Sequence, residues 1–365
     1  MHSATRRAIG AASTFLLVAA TSARAQLPAR DSTIRTWITE RVENGYATGI
    51  VAAYRDGRQA HVLSTGGADR SGKPLGADSY FEIGSITKVF TNILLADMVL
   101  KGEVALDDPV AKYLPAGVTM PSRNGKVITL LDLATASSGL PSLPTNLKPA
   151  DEHNPYADYT VAQLYAFLSS YTLPRDPGTR YEYSNTGMGQ LGHVLALRAG
   201  KPYFTLLRER VLEPLGMRDT WITIPADRIA RFAVPHNADL EVENAWDLPT
   251  FEAAGALRST SSDMLKFADA VTHRDRGALA KAITFSIEPR RPTTIPNMRI
   301  ALGWHVREKD GKSIVWHNGG TGGFRTMLLL LPEAKTAVVV LCAADRGQAI
   351  DKLALDIAAA ITPKK

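Results

Sequence analysis

The sequence predicts an α+β protein in which strands from both ends of the chain form one antiparallel sheet, while the middle supplies helices. Near the N-terminus, two apolar runs flank Asp56-Gly57, a dipeptide typical of a β-hairpin turn. The last third of the chain holds further strand-like runs, followed by a helical spacing of apolar residues. Helical patterns between these regions lack the strand-helix alternation of a doubly wound sheet, so we expect a mostly helical insertion.

The first 25 residues have the pattern of a secretory signal peptide. Arg6 and Arg7 precede an uncharged run at 8–20, and Ala23-Arg24-Ala25 fits the small-residue rule of signal peptidase. The uncharged run is shorter than the roughly 18 residues expected of a transmembrane helix. The alternative is a first amphipathic helix of the fold. We expect removal of residues 1–25, no membrane span, and export to the bacterial periplasm.

The rest of the chain divides into sheet-forming parts at 26–80 and 235–365 and a mostly helical part at 81–234. Apolar periodicity predicts helices at Thr87–Lys101, Leu130–Thr135, Val161–Ser169, Gly187–Arg198, Tyr203–Val211, Ser262–Val271 and Gly347–Ile361. Strands are predicted at 48–54, 60–63, Ile300–Val306, Ser313–His317, Arg325–Leu331 and Thr336–Leu341.

Composition excludes several classes of protein. Hydrophobic residues make up 45% and charged residues 21% of the chain, which is the balance of a globular protein rather than a disordered one. Without the three arginines of the leader, 39 basic residues face 36 acidic ones, and we expect no nucleic-acid partner. The single cysteine, Cys342, lies in an apolar run and reads as a core residue. Histidine and cysteine show no metal-ligand spacing, so neither a metal nor a cofactor is predicted.

A first candidate for chemistry is Ser85-Ile86-Thr87-Lys88 at the start of a predicted helix. Residues three apart lie on one helical face, so the Lys88 ammonium can reach the Ser85 hydroxyl. Burial and the helix dipole both lower the pKa of a lysine placed here, which suits it to accept the serine proton. The alternative is a capping serine beside a solvated lysine.

A second candidate is the polar run Tyr181-Glu182-Tyr183-Ser184-Asn185, on a loop that enters a helix. Tyr183 can relay a proton, and Asn185 can hold a substrate carbonyl or the lysine. Packing and capping roles are the alternative. The following Gly187–Gly192 spells GxGxxG, but it has no preceding hydrophobic strand, so a dinucleotide site is not predicted.

A third candidate is the glycine-rich run after Trp316, with His317, Gly319 and Gly320 between two predicted strands. Glycine in a strand permits close approach of a ligand or another backbone. Such a strand can offer N–H groups to an acyl substrate and an oxyanion, and His317 can offer a titratable cation. A glycine-rich hairpin with an exposed histidine is the alternative.

Taken together and in this order, Ser85-x-x-Lys88, Tyr183-x-Asn185 and His317-x-Gly319 resemble the penicillin-recognising serine hydrolases, specifically class C β-lactamases and their low-molecular-weight penicillin-binding and DD-peptidase relatives. The resemblance implies that Ser85 is the acylated nucleophile and that Lys88 and Tyr183 transfer protons. It also implies that Asn185, His317 and Gly319 contact substrate, and that the N–H groups of Ser85 and Gly320 form the oxyanion hole.

The resemblance implies an exported serine hydrolase that forms an acyl-enzyme with β-lactams or D-Ala-D-Ala-type peptides. His317-Asn318-Gly319 departs from the usual Lys-Thr-Gly of β-lactamases, and a protonated His317 would bind the substrate carboxylate in place of the lysine. Two alternatives stay open: a carboxylesterase on the same scaffold, and a penicillin-binding protein without turnover.

Overall fold

The computed structural model describes residues 16–57, 59–309, 311–344, 346 and 349–362, and its centre is an eight-stranded antiparallel sheet. The strands are β1 (Gly49–Asp56), β2 (Gln59–Gly66), β3 (Tyr80–Glu82), β4 (Ser122–Arg123), β5 (Lys126–Val127), β6 (Arg258–Thr260), β7 (Arg291–Pro292), β8 (Met298–Ile300), β9 (His305–Lys309), β10 (Lys312–Gly320), β11 (Arg325–Leu331) and β12 (Thr336–Cys342). The sheet order is β2-β1-β12-β11-β10-β9-β8-β7, so the N-terminal hairpin pairs with the C-terminal strands. The predicted α+β architecture, with one antiparallel sheet built from both termini, is confirmed.

The helices are α1 (Leu16–Glu43), α2 (Thr87–Leu100), α3 (Leu130–Ala134), α4 (Val161–Ser170), α5 (Asn185–Ala199), α6 (Tyr203–Leu207), α7 (Glu252–Gly255), α8 (Ser261–Thr272), α9 (Ala280–Ile287) and α10 (Ala349–Ile361). Most of them lie within two residues of the predicted helices. In the described part of the chain, no helix is both long enough and apolar enough to span a bilayer.

The two faces of the sheet bury different apolar clusters because successive strand residues point to opposite sides. On β1, Ala52 and Tyr54 pack with residues of α1 and α10, whereas Val51 and Ala53 join the larger cluster that contains α2 and α8. Every residue of β12 is buried, including Cys342, as its unbroken apolar run indicates. The sheet is therefore a rigid platform covered by helices on both faces.

One predicted strand is interrupted. Instead of one strand at 300–306, β8 ends at Ile300 and β9 begins at His305. Gly303 adopts a φ of 72°, and the Ala301 N–H bonds the Trp304 carbonyl at 2.8 Å. This turn redirects the chain and brings His305 to the edge of the cleft described below.

The predicted leader lies outside the described residues as far as residue 15, and its cleavage after Ala25 stays a prediction. From Leu16 the backbone belongs to α1, and Ile34 and Ile38 of this helix are fully buried against the sheet. The division into parts at 26–80, 81–234 and 235–365 also stays a prediction.

Candidate active site

Ser85 lies in a single 3-10 turn, Gly84–Ile86, that leads directly into α2. Gly84 has a φ of +50°, and a Cβ on it would lie 2.7 Å from the Gly320 nitrogen on β10. The turn therefore needs glycine both for its backbone conformation and for its contact with the strand. This contact places the half-buried Ser85 between the start of α2 and the end of β10.

A buried ion pair between Glu82 and Arg258 lies next to this turn. Glu82, 3% exposed on β3, accepts a hydrogen bond from Arg258 Nη2 at 3.2 Å and one from the Trp246 N–H at 2.9 Å. Burial raises the pKa of Glu82, and the Arg258 charge opposes that effect. Because Glu82 lies three residues before Ser85, the pair fixes the strand from which the turn departs.

Lys88 follows one turn later and is 2% exposed. Its Nζ lies 2.9 Å from Ser85 Oγ, 2.8 Å from Asn185 Oδ1 and 2.6 Å from the Ala254 carbonyl oxygen. Burial holds the pKa of Lys88 well below its ordinary value. The structure thus brings the predicted serine and lysine together inside the protein.

The hydrogen bonds of Lys88 suit a proton acceptor. The Ala254 carbonyl and the Asn185 amide oxygen can each accept only, so they take two N–H groups of Lys88. In the neutral amine the remaining lone pair can then face the Ser85 hydroxyl. A lysine held in this way can receive the serine proton without changing its position.

Tyr183 approaches Ser85 from the opposite side. Its hydroxyl donates to Ser85 Oγ at 2.6 Å, and its ring lies 4.8 Å from Lys88 Nζ. Ser184 caps α5 by accepting from the Gly187 N–H at 2.8 Å, which fixes the loop that carries Tyr183 and Asn185. Burial raises the pKa of Tyr183, and the hydrogen bond to Ser85 opposes this effect. The phenol is therefore protonated at rest.

Gly319 allows β10 to pack against the chain that carries Ser85. A Cβ at Gly319 would lie 2.0 Å from the Ile83 carbonyl oxygen and 2.4 Å from Thr326 Oγ1. Thr326 also donates to the same carbonyl at 3.0 Å. No larger residue fits this position without moving the strand away from the serine.

The N–H of Gly320 points toward Ser85 rather than toward β11. The Thr321 N–H bonds the Phe324 carbonyl at 3.0 Å, and hydrogen-bonded pairs alternate along an antiparallel ladder. The next pair, Gly320 with Arg325, is therefore a non-hydrogen-bonded one. The Gly320 N–H therefore faces away from β11, on the side where Gly84 packs against Gly320.

Comparison with known proteins finds a family whose members carry out serine acyl transfer, which agrees with the contacts of Ser85, Lys88 and Tyr183. The family model described as Beta-lactamase matches residues 34–361, nearly the whole chain. The chain belongs to the beta-lactamase family. The β-lactamases and DD-peptidases of this family are serine hydrolases that act through an acyl-enzyme. The predicted class of enzyme, a serine hydrolase, is therefore confirmed.

Individual relatives of this family member carry two kinds of description. A D-alanyl-D-alanine-carboxypeptidase/endopeptidase AmpH of Escherichia coli is 31% identical over 310 residues, covering 80% of this chain and 79% of the relative. A protein described as Beta-lactamase from Escherichia coli is 27% identical over 337 residues, covering 83% and 86%. The predicted resemblance is confirmed.

Solved structures share the fold of this beta-lactamase family member. A class C beta lactamase from Rhodobacter sphaeroides superposes with a TM-score of 0.76 at 24% identity, covering 89% of this chain and 98% of that one. A Beta-Lactamase/D-Alanine Carboxypeptidase from Pseudomonas syringae gives a TM-score of 0.79 at 21% identity, covering 90% and 98%.

His317 differs from the cation expected at this position. It is 2% exposed, and its Nδ1 donates to the Asn318 carbonyl at 2.6 Å, so Nδ1 carries the proton of a neutral ring. Burial is the main cause that holds the pKa of His317 well below its ordinary value, and the repulsion that a protonated His317 would meet from protonated forms of His305 and Lys88 acts in the same direction. Burial of this ring disfavours its cationic form, and the contact of His317 with a substrate stays a prediction.

The cleft in front of Ser85 has a volume of about 450 Å³. Its wall includes five residues that the sequence analysis did not assign to the site. Tyr181 donates to His305 Nε2 at 3.0 Å, and burial lowers the pKa of His305 to about 4, so this pair is uncharged. The other three are Asn318, Arg325 and Asp351. The full lining comprises Ser85, Tyr181, Tyr183, His305, Asn318, Gly319, Gly320, Arg325 and Asp351.

The GxGxxG run has a packing role. It lies in the first half of α5, where a Cβ at Gly189 would lie 2.4 Å from Phe251 and one at Gly192 would lie 2.1 Å from Ala253. These glycines let α5 approach the segment that ends at Ala254, whose carbonyl holds Lys88. The close approach of the two helices accounts for both glycines without a ligand.

Proposed function

We propose that this protein hydrolyses D-Ala-D-Ala-type peptides and β-lactams through an acyl-enzyme on Ser85. The observation that carries the proposal is the convergence of Lys88 Nζ and Tyr183 hydroxyl on Ser85 Oγ, at 2.9 Å and 2.6 Å, in an open cleft. The AmpH relative is described as a carboxypeptidase and endopeptidase, which supports a peptide substrate.

In the proposed acylation, Ser85 Oγ attacks the substrate carbonyl carbon while its proton passes to neutral Lys88. The oxygen that gains negative charge is held by the N–H groups of Ser85 and Gly320. Collapse of the tetrahedral intermediate breaks the C–N bond, and Tyr183 delivers a proton to the leaving nitrogen, replenished from Lys88. This returns both groups to their resting protonation states.

Deacylation uses the same groups with water as nucleophile. Lys88 and Tyr183 take a proton from the water as it attacks the ester carbonyl, and Ser85 Oγ receives that proton when it leaves. Asn185, which holds Lys88 through Oδ1 at 2.8 Å, has its amide nitrogen left to contact a substrate carbonyl. His317 would support the Tyr183 side of the site as a neutral ring, with ring centroids 6.4 Å apart.

A carboxylesterase is the second candidate, and a specific observation favours it. With His317 neutral and buried, the cleft lacks the lysine-like cation that a substrate carboxylate would meet at this position. An uncharged ester has no need of such a cation. Export to the periplasm is part of the proposal and depends on the leader pattern at 1–25; N-terminal sequencing of the secreted protein tests it.

Parallel steady-state assays test the proposed substrate class. Nitrocefin, a D-Ala-D-Ala peptide and a short-chain p-nitrophenyl ester are compared in the wild type and in Ser85→Ala. Ser85-dependent turnover of the peptide or of nitrocefin is the expected result. Turnover of the ester alone would replace the proposal with the esterase, and penicillin labelling without any turnover would replace it with a penicillin-binding protein.

A further inference from the structure

The cleft wall includes one basic and one acidic side chain that the proposed chemistry does not use. Arg325 at the start of β11 and Asp351 in the first turn of α10 line the same cleft as Ser85. Asn318 also lines this cleft and donates its amide hydrogen to Asp351 Oδ2 at 3.0 Å. Burial raises the pKa of Asp351, and the Asn318 bond and the Arg325 charge oppose that effect. These contacts place the Asp351 carboxylate among groups that favour an anion.

These groups lie close to the reacting atoms. Gly320 pairs with Arg325 across β10 and β11, and a Cβ at Gly320 would lie 1.6 Å from Arg325 Nη1. The guanidinium therefore lies over the strand segment whose N–H faces Ser85. A substrate group in this part of the cleft would meet the Asn318 amide and the Asp351 carboxylate bonded to it.

The position of Asp351 is fixed by the packing of α10. Ile350, Leu353 and Ala354 of this helix are buried against the sheet. An acid in the first turn of a helix is also favoured by the helix dipole, which offers a purely structural explanation for Asp351. That explanation does not account for the Asn318 bond into the cleft, and it predicts no effect on substrate choice.

We propose that Asp351 is a specificity-determining residue: its carboxylate takes the Asn318 amide hydrogen and places a negative charge in the cleft that Ser85 lines, where it repels a carboxylate of the substrate. The cleft then disfavours substrates with a free carboxylate on the leaving group and favours those with an amide or ester there. Among D-Ala peptides, the cleft then favours cleavage of internal peptide bonds over cleavage of the C-terminal bond. The inference rests on the proposed Ser85 hydrolase function and names its substrate class.

The test compares two peptides that differ in one charge. Diacetyl-L-Lys-D-Ala-D-Ala and the same peptide ending in a carboxamide are assayed with the wild type, Asp351→Asn and Asp351→Ser. The control is Asp356→Asn, which removes a charge from the same helix at a residue paired with Lys352 at 2.8 Å and outside the cleft lining. Serine also suits the first turn of a helix, so it provides a second variant that retains helix-compatible chemistry.

We expect the ratio of kcat/KM for the carboxylate peptide to that for the carboxamide peptide to rise roughly tenfold in both Asp351 variants, as removal of one nearby like charge predicts. Asp356→Asn should leave the ratio unchanged. An unchanged ratio in both Asp351 variants, or an equal rise in Asp356→Asn, would overturn the inference.

A second readout separates this inference from the proposed function. Acylation of each protein by benzylpenicillin and by its methyl ester is followed by intact mass. The ratio of the acylation rate with benzylpenicillin to that with the methyl ester is expected to rise in both Asp351 variants. Ser85 adducts or peptide cleavage with an unchanged ratio would overturn the role of Asp351 alone. Absence of Ser85-dependent reaction with all four probes would overturn the proposed function, and this inference with it.

Discussion

Lys88 Nζ lies 2.6 Å from the carbonyl oxygen of Ala254, which is 166 residues further along the chain. This contact, with the Asn185 bond, sets the direction in which Lys88 can meet Ser85. The segment that carries Ala254 is in turn held close to α5 by Gly189 and Gly192. The orientation of the proposed base therefore depends on helix packing behind the cleft.

Lys88 and Tyr183 should act as one unit. We expect Lys88→Ala and Tyr183→Phe each to lower kcat/KM by about 10³-fold, and the double variant to be little worse than either, because groups that share a proton transfer are strongly non-additive. Steady-state kinetics on a Ser85-dependent substrate measures this. Lys101→Ala, at the exposed end of α2, is the matched control. Independent, multiplicative losses would mean that one of the two residues only packs.

Occupying the space at Gly319 should damage both stability and activity. Because its Cβ would lie 2.0 Å from a backbone oxygen, Gly319→Ala must move β10 relative to Ser85. We expect a loss of about 1–3 kcal/mol in the free energy of unfolding and roughly 100-fold in kcat/KM. Gly76→Ala, where nothing lies within 4 Å of the added Cβ, should change neither. Wild-type kinetics in Gly319→Ala would show that the strand has room to adjust.

Much of the fold and the core of the site follow from local patterns. Ser85-x-x-Lys88 is recognisable because a helix brings residues three apart to one face, and the apolar periods of α2, α5 and α8 are long enough to predict these helices. The hairpin of β1 and β2 is recognisable from its Asp56-Gly57 turn, and β12 from an apolar run whose residues are all buried.

The remaining features depend on contacts between distant segments. The Ala254 carbonyl has no side-chain signature, and Asp351 belongs to an ordinary amphipathic helix whose place beside Asn318 is fixed by the sheet order. The lowered pKa of His317 likewise depends on the tertiary structure. The residue type alone allows a cation, whereas burial beside His305 and Lys88 lowers the pKa of the ring. The eight-residue α9 was also missed, since it is too short for a decisive period.

His317 should not shape the pH profile near neutrality. Its pKa lies well below the ordinary value of about 6.5, so the ring is already neutral there and gains a proton only under more acidic conditions. We expect the ratio of kcat/KM for anionic and neutral substrates, measured from about pH 6 to about pH 8, to follow the same curve in wild type and His317→Gln. A limb that is present in wild type and missing in His317→Gln would restore a cationic role.

The buried Glu82–Arg258 pair should contribute strongly to stability. Glu82→Gln removes the charge that Arg258 needs, and breaking a buried pair typically costs about 3 kcal/mol of unfolding free energy. Denaturant unfolding measures the change. Asp356→Asn breaks the pair with Lys352, whose side chain is exposed, and the longer contact with Arg41 at 3.8 Å, and it should stay within about 0.5 kcal/mol of wild type. Equal small effects in both variants would show that the Ser85 turn does not depend on this pair.

Intact-mass analysis after incubation with benzylpenicillin tests the central claim most directly. Wild type should gain the mass of one opened penicillin, and peptide mapping should place it on Ser85. Ser85→Ala should gain no mass while its thermal midpoint stays close to that of wild type, because the half-buried hydroxyl contributes little packing. An adduct on Ser85→Ala, or a wild-type adduct mapped to another residue, would contradict the assignment of Ser85 as the nucleophile.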